Sequence, residues 1–199
     1  MVKRKHKRKP KTTVLLVREG ERREQLFYER LYECCHPEQN GVHINTAPEH
    51  GGTANSILSI ALKRKHSRDR VYAWFDADSK LSKEMRNSLA DAWGIEGGFD
   101  PIVPDENLQF QYNTQMRNPI LIVSAPVSCD GFLVELLGNI QITSKHKTDH
   151  CKNAFDSLIG GHDKEKERIY YQKNLNRQKL QKLRANNRIL SLLISMFEP

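Results

Sequence analysis

The sequence predicts an α/β fold: a central parallel sheet of about four strands flanked by helices, followed by a helical C-terminal extension. Three observations point there. Short runs rich in β-branched and aromatic residues recur at 12–17 (TTVLLV), 70–75 (RVYAWF) and 119–124 (PILIVS). These runs are apolar at successive positions, as strands buried on both faces must be. The segments between them carry apolar residues at helical spacing, and strand–helix alternation folds most simply as parallel strands joined by right-handed crossovers.

Each element has its own signal. The first strand, 12–17, ends at Arg18-Glu19-Gly20-Glu21, where Gly20 permits a tight turn. Residues 21–32 follow with Leu26, Phe27, Arg30 and Leu31 in helical phase. Residues 41–46 (GVHINT) alternate as a second strand, broken by Pro48, Gly51 and Gly52. Residues 55–65 carry Ile57, Leu58, Ala61 and Leu62 on one helical face. The third strand, 70–75, runs into Asp76-Ala77-Asp78-Ser79, and 80–93 reads as the next helix through Leu81, Met85, Leu89 and Trp93. Residues 94–118 hold Gly97, Gly98, Pro101 and Pro104 without a sustained period, which suits an inserted loop with a short strand at 101–103. The fourth strand, 119–124, is followed by a helix over 130–139. From Gln141 the chain turns polar, and 163–199 is helix-permissive, with Leu175, Leu180, Leu183, Leu190, Leu193 and Phe197 as its apolar set. The expected organisation is a basic tail (1–11), an α/β core (12–140) and a helical extension (141–199) that packs on the core or on a partner.

Composition narrows the classes. With 199 residues and 38% hydrophobic content, the chain is long enough for one domain with a real core. No apolar run reaches the roughly 18 residues of a membrane span, and the N-terminal charges are not backed by the apolar stretch of a secretory signal. The formal charge is +8, and seven Lys and Arg fall in the first eleven residues, so the remainder is nearly neutral at +1. Lys3, Arg4, Lys5, Lys7, Arg8 and Lys9 therefore form a tail suited either to phosphate contact or to solubility alone. Cys34, Cys35, Cys129 and Cys151 form no C-x-x-C pair, which fits a reduced, cytoplasmic protein.

The chemistry-bearing residues are acids. In open parallel sheets, functional groups gather beyond the carboxyl ends of the strands. Glu19 follows the first strand and Asp76 and Asp78 follow the third. If those strands are neighbours, three carboxylates meet on one edge. Carboxylate oxygens are what Mg²⁺ or Mn²⁺ selects, and the two acids of D-x-D on extended backbone point the same way. Glu19 would share the metal or move a proton. The alternative is a set of solvated loop acids, with Asp78 or Ser79 capping the helix that begins near Lys80.

The stretches VLLVREGERREQLFYERL, VYAWFDADS and LIVSAPVSCDGFLVELLG resemble the Toprim domain, with its Glu after the first strand and D-x-D after the third. More narrowly, they resemble the RloB family of small Toprim-like proteins. The resemblance covers 12–139 and extends weakly through Tyr170–Leu175. It implies Mg²⁺- or Mn²⁺-dependent phosphodiester hydrolysis of DNA or RNA, with Glu19 as general acid or base and Asp76 and Asp78 as metal ligands. It also implies a setting in bacterial anti-phage defence beside an ABC-type ATPase partner. The chain departs from the family at Ala125-Pro126, where Asn-Pro is usual, and at Cys129-Asp130, where Phe-Glu is usual. Asp130 is thus the candidate accessory acid, with Glu135 the other option. A second reading is a catalytically weak subunit that binds nucleic acid and the ATPase, and self-association is compatible with either. The F-D-A-D-S run also resembles the nucleophile motif of HAD-type phosphatases. That fold places the motif after its first strand, whereas here it follows the third and leaves Glu19 without a role.

Lesser features remain. Gly51, Gly52 and Thr53 precede a helix and are candidate phosphate contacts through backbone N–H groups, or an ordinary N-terminal turn. His43 and His50 are expected near the same edge. His146, His150 and Cys151 suggest a zinc site only weakly, because no second ligand cluster of suitable spacing exists. The basic residues from Lys164 to Arg188 read as a solvated face, a nucleic-acid contact or a partner surface.

Overall fold

A computed structural model describes residues 11–20, 22–48, 52–102, 118–143 and 145–199. The predicted tail cations Lys3–Lys9, together with Glu21, His50, Gly51 and Val103, lie outside the described residues. Four strands form one all-parallel sheet: β1 (Thr12–Arg18), β2 (Val42–Pro48), β3 (Arg70–Asp76) and β4 (Ile120–Ser124), in the order β2-β1-β3-β4. Helices α1 (Arg23–Cys35), α2 (Ala54–Arg64), α3 (Lys83–Trp93) and α4 (Cys129–Gly138) follow the strands in turn, and α5 (Thr148–Ile159), α6 (Lys164–Asn174), α7 (Arg177–Arg184) and α8 (Arg188–Ser195) complete the chain. The α/β class and parallel sheet are those the sequence predicts.

The strands are apolar on both sides because each side has its own core. Val14, Leu16, Tyr72, Trp74 and Ile122 face α1, α4 and the C-terminal helices. Leu15, Val17, Ala73, Phe75 and Leu121 face α2 and α3. The C-terminal helices belong to the first layer. Phe27 on α1 meets Trp74, Phe132 and Tyr171 edge-on at 5.6–6.4 Å between ring centroids. Tyr28 stacks on Phe197 at 5.8 Å, and Arg30 Nε donates to the Leu175 carbonyl. An aromatic hub of this kind adds about 0.5–1.5 kcal/mol per ring pair to the area buried.

Three local expectations change. The third helix starts at Lys83 rather than Lys80, capped by Ser82 Oγ accepting from Met85 N–H at 3.1 Å, not by Asp78 or Ser79. Ser82 wins because its own N–H is held by Asn55 Oδ1 of α2 at 3.0 Å, a tertiary partner that fixes where the loop ends. Pro101 and Ile102 form a turn instead of a short strand. His146 precedes α5 rather than sharing a helical face with His150, and Cys151 is fully buried against α4.

Candidate active site

The order β2-β1-β3-β4 decides where a site can form. The chain leaves β1 toward β2 on one side and returns through β3 to β4 on the other. The crossovers therefore diverge between β1 and β3, and the carboxyl ends of these two strands are where such a sheet places a site. Glu19 and Asp76 are brought together at that point. Glu19 N–H continues the ladder to the Trp74 carbonyl at 3.1 Å, and Asp76 N–H donates to Glu19 Oε2 at 3.0 Å.

Asp76 has a second anchor. Its Oδ1 accepts from Cys129 N–H at 2.7 Å, at the start of α4, which Ser128 caps. A helix N-terminus favours the carboxylate anion. Burial outweighs it: desolvation, then the charges of Glu24 and Glu19, push the Asp76 carboxyl well above the usual range. Glu19 is also raised, first by burial, against the Asp76 N–H bond and with Asp78 and Glu24 adding repulsion. Asp78 lies two residues on, exposed, with Thr148 Oγ1 of α5 at 3.5 Å from its Oδ2.

Glu24 is the member of this group that the sequence reading overlooked. It sits in the first turn of α1, is buried, and is raised by desolvation against the opposing pull of Arg18 and Arg23. Its carboxyl folds back over Gly20, occupying the space a Cβ there would need. The available signal was an acid one helical turn after the Glu-Gly corner. Beneath the site, Trp74 Nε1 donates to Ser124 Oγ at 2.7 Å, both buried, which locks β3 to β4 at the register pair Asp76–Ser124.

Asp130 opens α4, and its carboxylate pairs with Arg23, which also holds Asp156 at 2.5 Å and lies 4.8 Å over the Phe155 ring. That charge is matched within the fold and ties α1 to α4 and α5. Glu135 accepts from Ile142 N–H at 2.9 Å. Thr53 caps α2 in a reciprocal pair with Ser56, and Gly52 precedes it. His43 pairs with Thr13 in the register of β2 and β1, at the amino end of the sheet and away from the acids. The predicted common edge for His43 is therefore corrected, because a parallel strand puts its first residues at the opposite pole.

Among the described residues no three His, Cys, Asp or Glu side chains are arranged to hold a metal ion; Glu19 and Asp76 each accept one backbone N–H. The donor chemistry nonetheless fits a hard dication. It is all carboxylate oxygen, partly desolvated, and mutually repelling until a cation is added. Comparison of the chain with protein-family models, curated proteins and solved structures gives no match. Fold and site together define an α/β protein with a cluster of acids at its topological switch point.

Proposed function

We propose that the protein is a cytoplasmic metal-dependent nuclease that hydrolyses phosphodiesters of DNA or RNA, with Glu19, Asp76 and Asp78 as its working acids and Glu24 as a fourth. The observation that carries this reading is the bond from Asp76 N–H to Glu19 Oε2, which joins the acids of two strands at the switch point. Asp76 and Asp78 would hold Mg²⁺ or Mn²⁺, with the charge of Glu24 acting on Asp76. Such an ion would supply Lewis-acid polarisation of the phosphate and offset charge on its oxygens. Glu19 holds or takes a proton on Oε1, the oxygen not engaged by Asp76. Burial raises its pKa, which strengthens it as a proton acceptor. The RloB-type resemblance supports a role in phage defence and an ABC-type ATPase as partner.

The test is cleavage of plasmid, single-stranded DNA and tRNA with Mg²⁺ or Mn²⁺, with and without that ATPase. Asp76→Asn and Glu19→Gln are informative because each keeps an oxygen for its backbone N–H bond while removing the charge. Each is expected to lose at least about 10²-fold in rate, and EDTA should abolish cleavage. Cleavage indifferent to both variants would refute the site. No cleavage under any condition would instead favour a subunit that binds nucleic acid and the ATPase.

A further inference from the structure

The sheet has an opposite pole, and it is basic. Between Glu49 and Asp69 the chain contains no acid, and 63–70 (KRKHSRDR) holds five Lys and Arg and one His. This stretch is the last turn of α2 and the corner into β3, at the amino ends of the strands. Asp69 is tied to the start of β1 through Thr13 N–H and Oγ1 at 2.7 and 2.8 Å, and Arg70 donates to the carbonyls of Ser195 and Glu198. Lys63, Arg64, Lys65 and Arg68 make no ion pair among the described residues. A helix C-terminus accounts for one or two such cations, not for four unmatched ones in six residues. Exposed Lys11 enters β1 at the same pole.

A groove leads away from this pole. Lys63, Arg64, Ser67 and Arg68 line it together with Ala47 and Ile60. Ala47 pairs with Val17, two residues before Glu19, so the groove runs beside β2 from the basic corner toward the acidic edge. Parallel sheets normally bury both faces. Here His43, in register with Thr13 of β1, remains exposed on β2.

We infer that this groove between α2 and β2 binds the phosphodiester backbone of a nucleic acid, holding a segment that flanks the one presented to the acids. Its direction toward the acids rests on the nuclease reading, but binding itself needs only the cations. The seven residues of β3 separate the poles by roughly 20 Å at about 3.3 Å per residue, so the basic corner touches flanking backbone and not the bond under attack. A lipid surface fits less well. The large exposed apolar side chains among the described residues are Ile140 and Ile169, neither in this stretch, so nothing here would insert into a bilayer.

The experiment is fluorescence anisotropy of labelled single-stranded DNA, duplex DNA and RNA with the full chain in EDTA, between about 50 and 300 mM KCl. The Lys63→Gln/Arg64→Gln/Arg68→Gln variant should lower the slope of log affinity against log salt by about 2 to 3 and weaken binding about tenfold or more. The Lys63→Gln/Arg64→Gln pair, both exposed, should show a smaller loss of the same kind with an unchanged melting temperature. Lys164→Gln/Lys173→Gln on α6 should change neither quantity much, separating a local site from net charge. Equal loss in the α6 variant, or an unchanged slope in folded groove variants, overturns the proposal. So does a loss seen only with vesicles containing phosphatidylserine. Patch-dependent binding with no cleavage under any condition would sink the nuclease reading and leave this site standing.

Discussion

Gly20→Ala adds one methyl group at the corner between β1 and α1. Gly20 lies outside the left-handed region, so alanine meets no backbone strain there. The obstacle is steric, because the new Cβ would land on the Glu24 carboxyl. Glu24 is only 8% exposed, set between Arg18 and Arg23 on one side and the acids on the other, so its carboxyl has few places to go. Overpacking of this kind costs about 1–3 kcal/mol. Against it stands the reduced entropy of the unfolded chain, about 0.4–1 kcal/mol in favour of alanine. The clash should win, lowering the melting temperature by roughly 2–8 °C for a chain of this size. The assay is thermal unfolding in EDTA for wild type, Gly20→Ala, Glu24→Ala and the double variant. Removing the Glu24 carboxyl removes the obstacle, so the double variant should recover most of the loss, with a coupling of about 1–2 kcal/mol. If Gly20→Ala melts with wild type and the two changes simply add, the placement of Glu24 over Gly20 is wrong.

Two further outcomes follow from the same corner of the sheet. A carboxyl raised in the folded state stabilises below its unfolded pKa and loses that contribution as pH rises through the folded one, so Asp76→Asn should gain stability relative to wild type as pH rises above about 4. Parallel unfolding curves across that range in EDTA would contradict the buried-acid account. Ser124→Ala leaves the buried Trp74 Nε1–H without its acceptor and should cost about 1–3 kcal/mol, measured by urea unfolding. Trp74→Phe carries its own packing loss, so the hydrogen bond is read from a double-mutant cycle: the two losses should sum to more than the double variant's, and strict additivity would show that the bond does not carry the Ser124 loss.

The sequence by itself determined the strands and their class. Residues 12–17, 70–75 and 119–124 are apolar at successive positions because each strand is covered on both faces, and a requirement imposed at every residue leaves a local trace. It also placed Glu19, Asp76 and Asp78 at strand ends, since strand ends can be read from composition. What it could not decide were relations between distant residues. That β1 and β3 are neighbours depends on the order in which crossovers dock. That α3 begins at Lys83 depends on Asn55, 27 residues before the capping Ser82. That Asp130 is matched depends on Arg23, and that Glu24 joins the acids depends on how α1 leaves its corner over Gly20. The basic run 63–70 is plain in the sequence, but only the sheet's topology sets it at the pole opposite the acids, with a groove leading toward them. Local periodicity records whether a residue is buried. Its partners are chosen by long-range packing, where the free energy of each contact depends on chain segments that no local window contains.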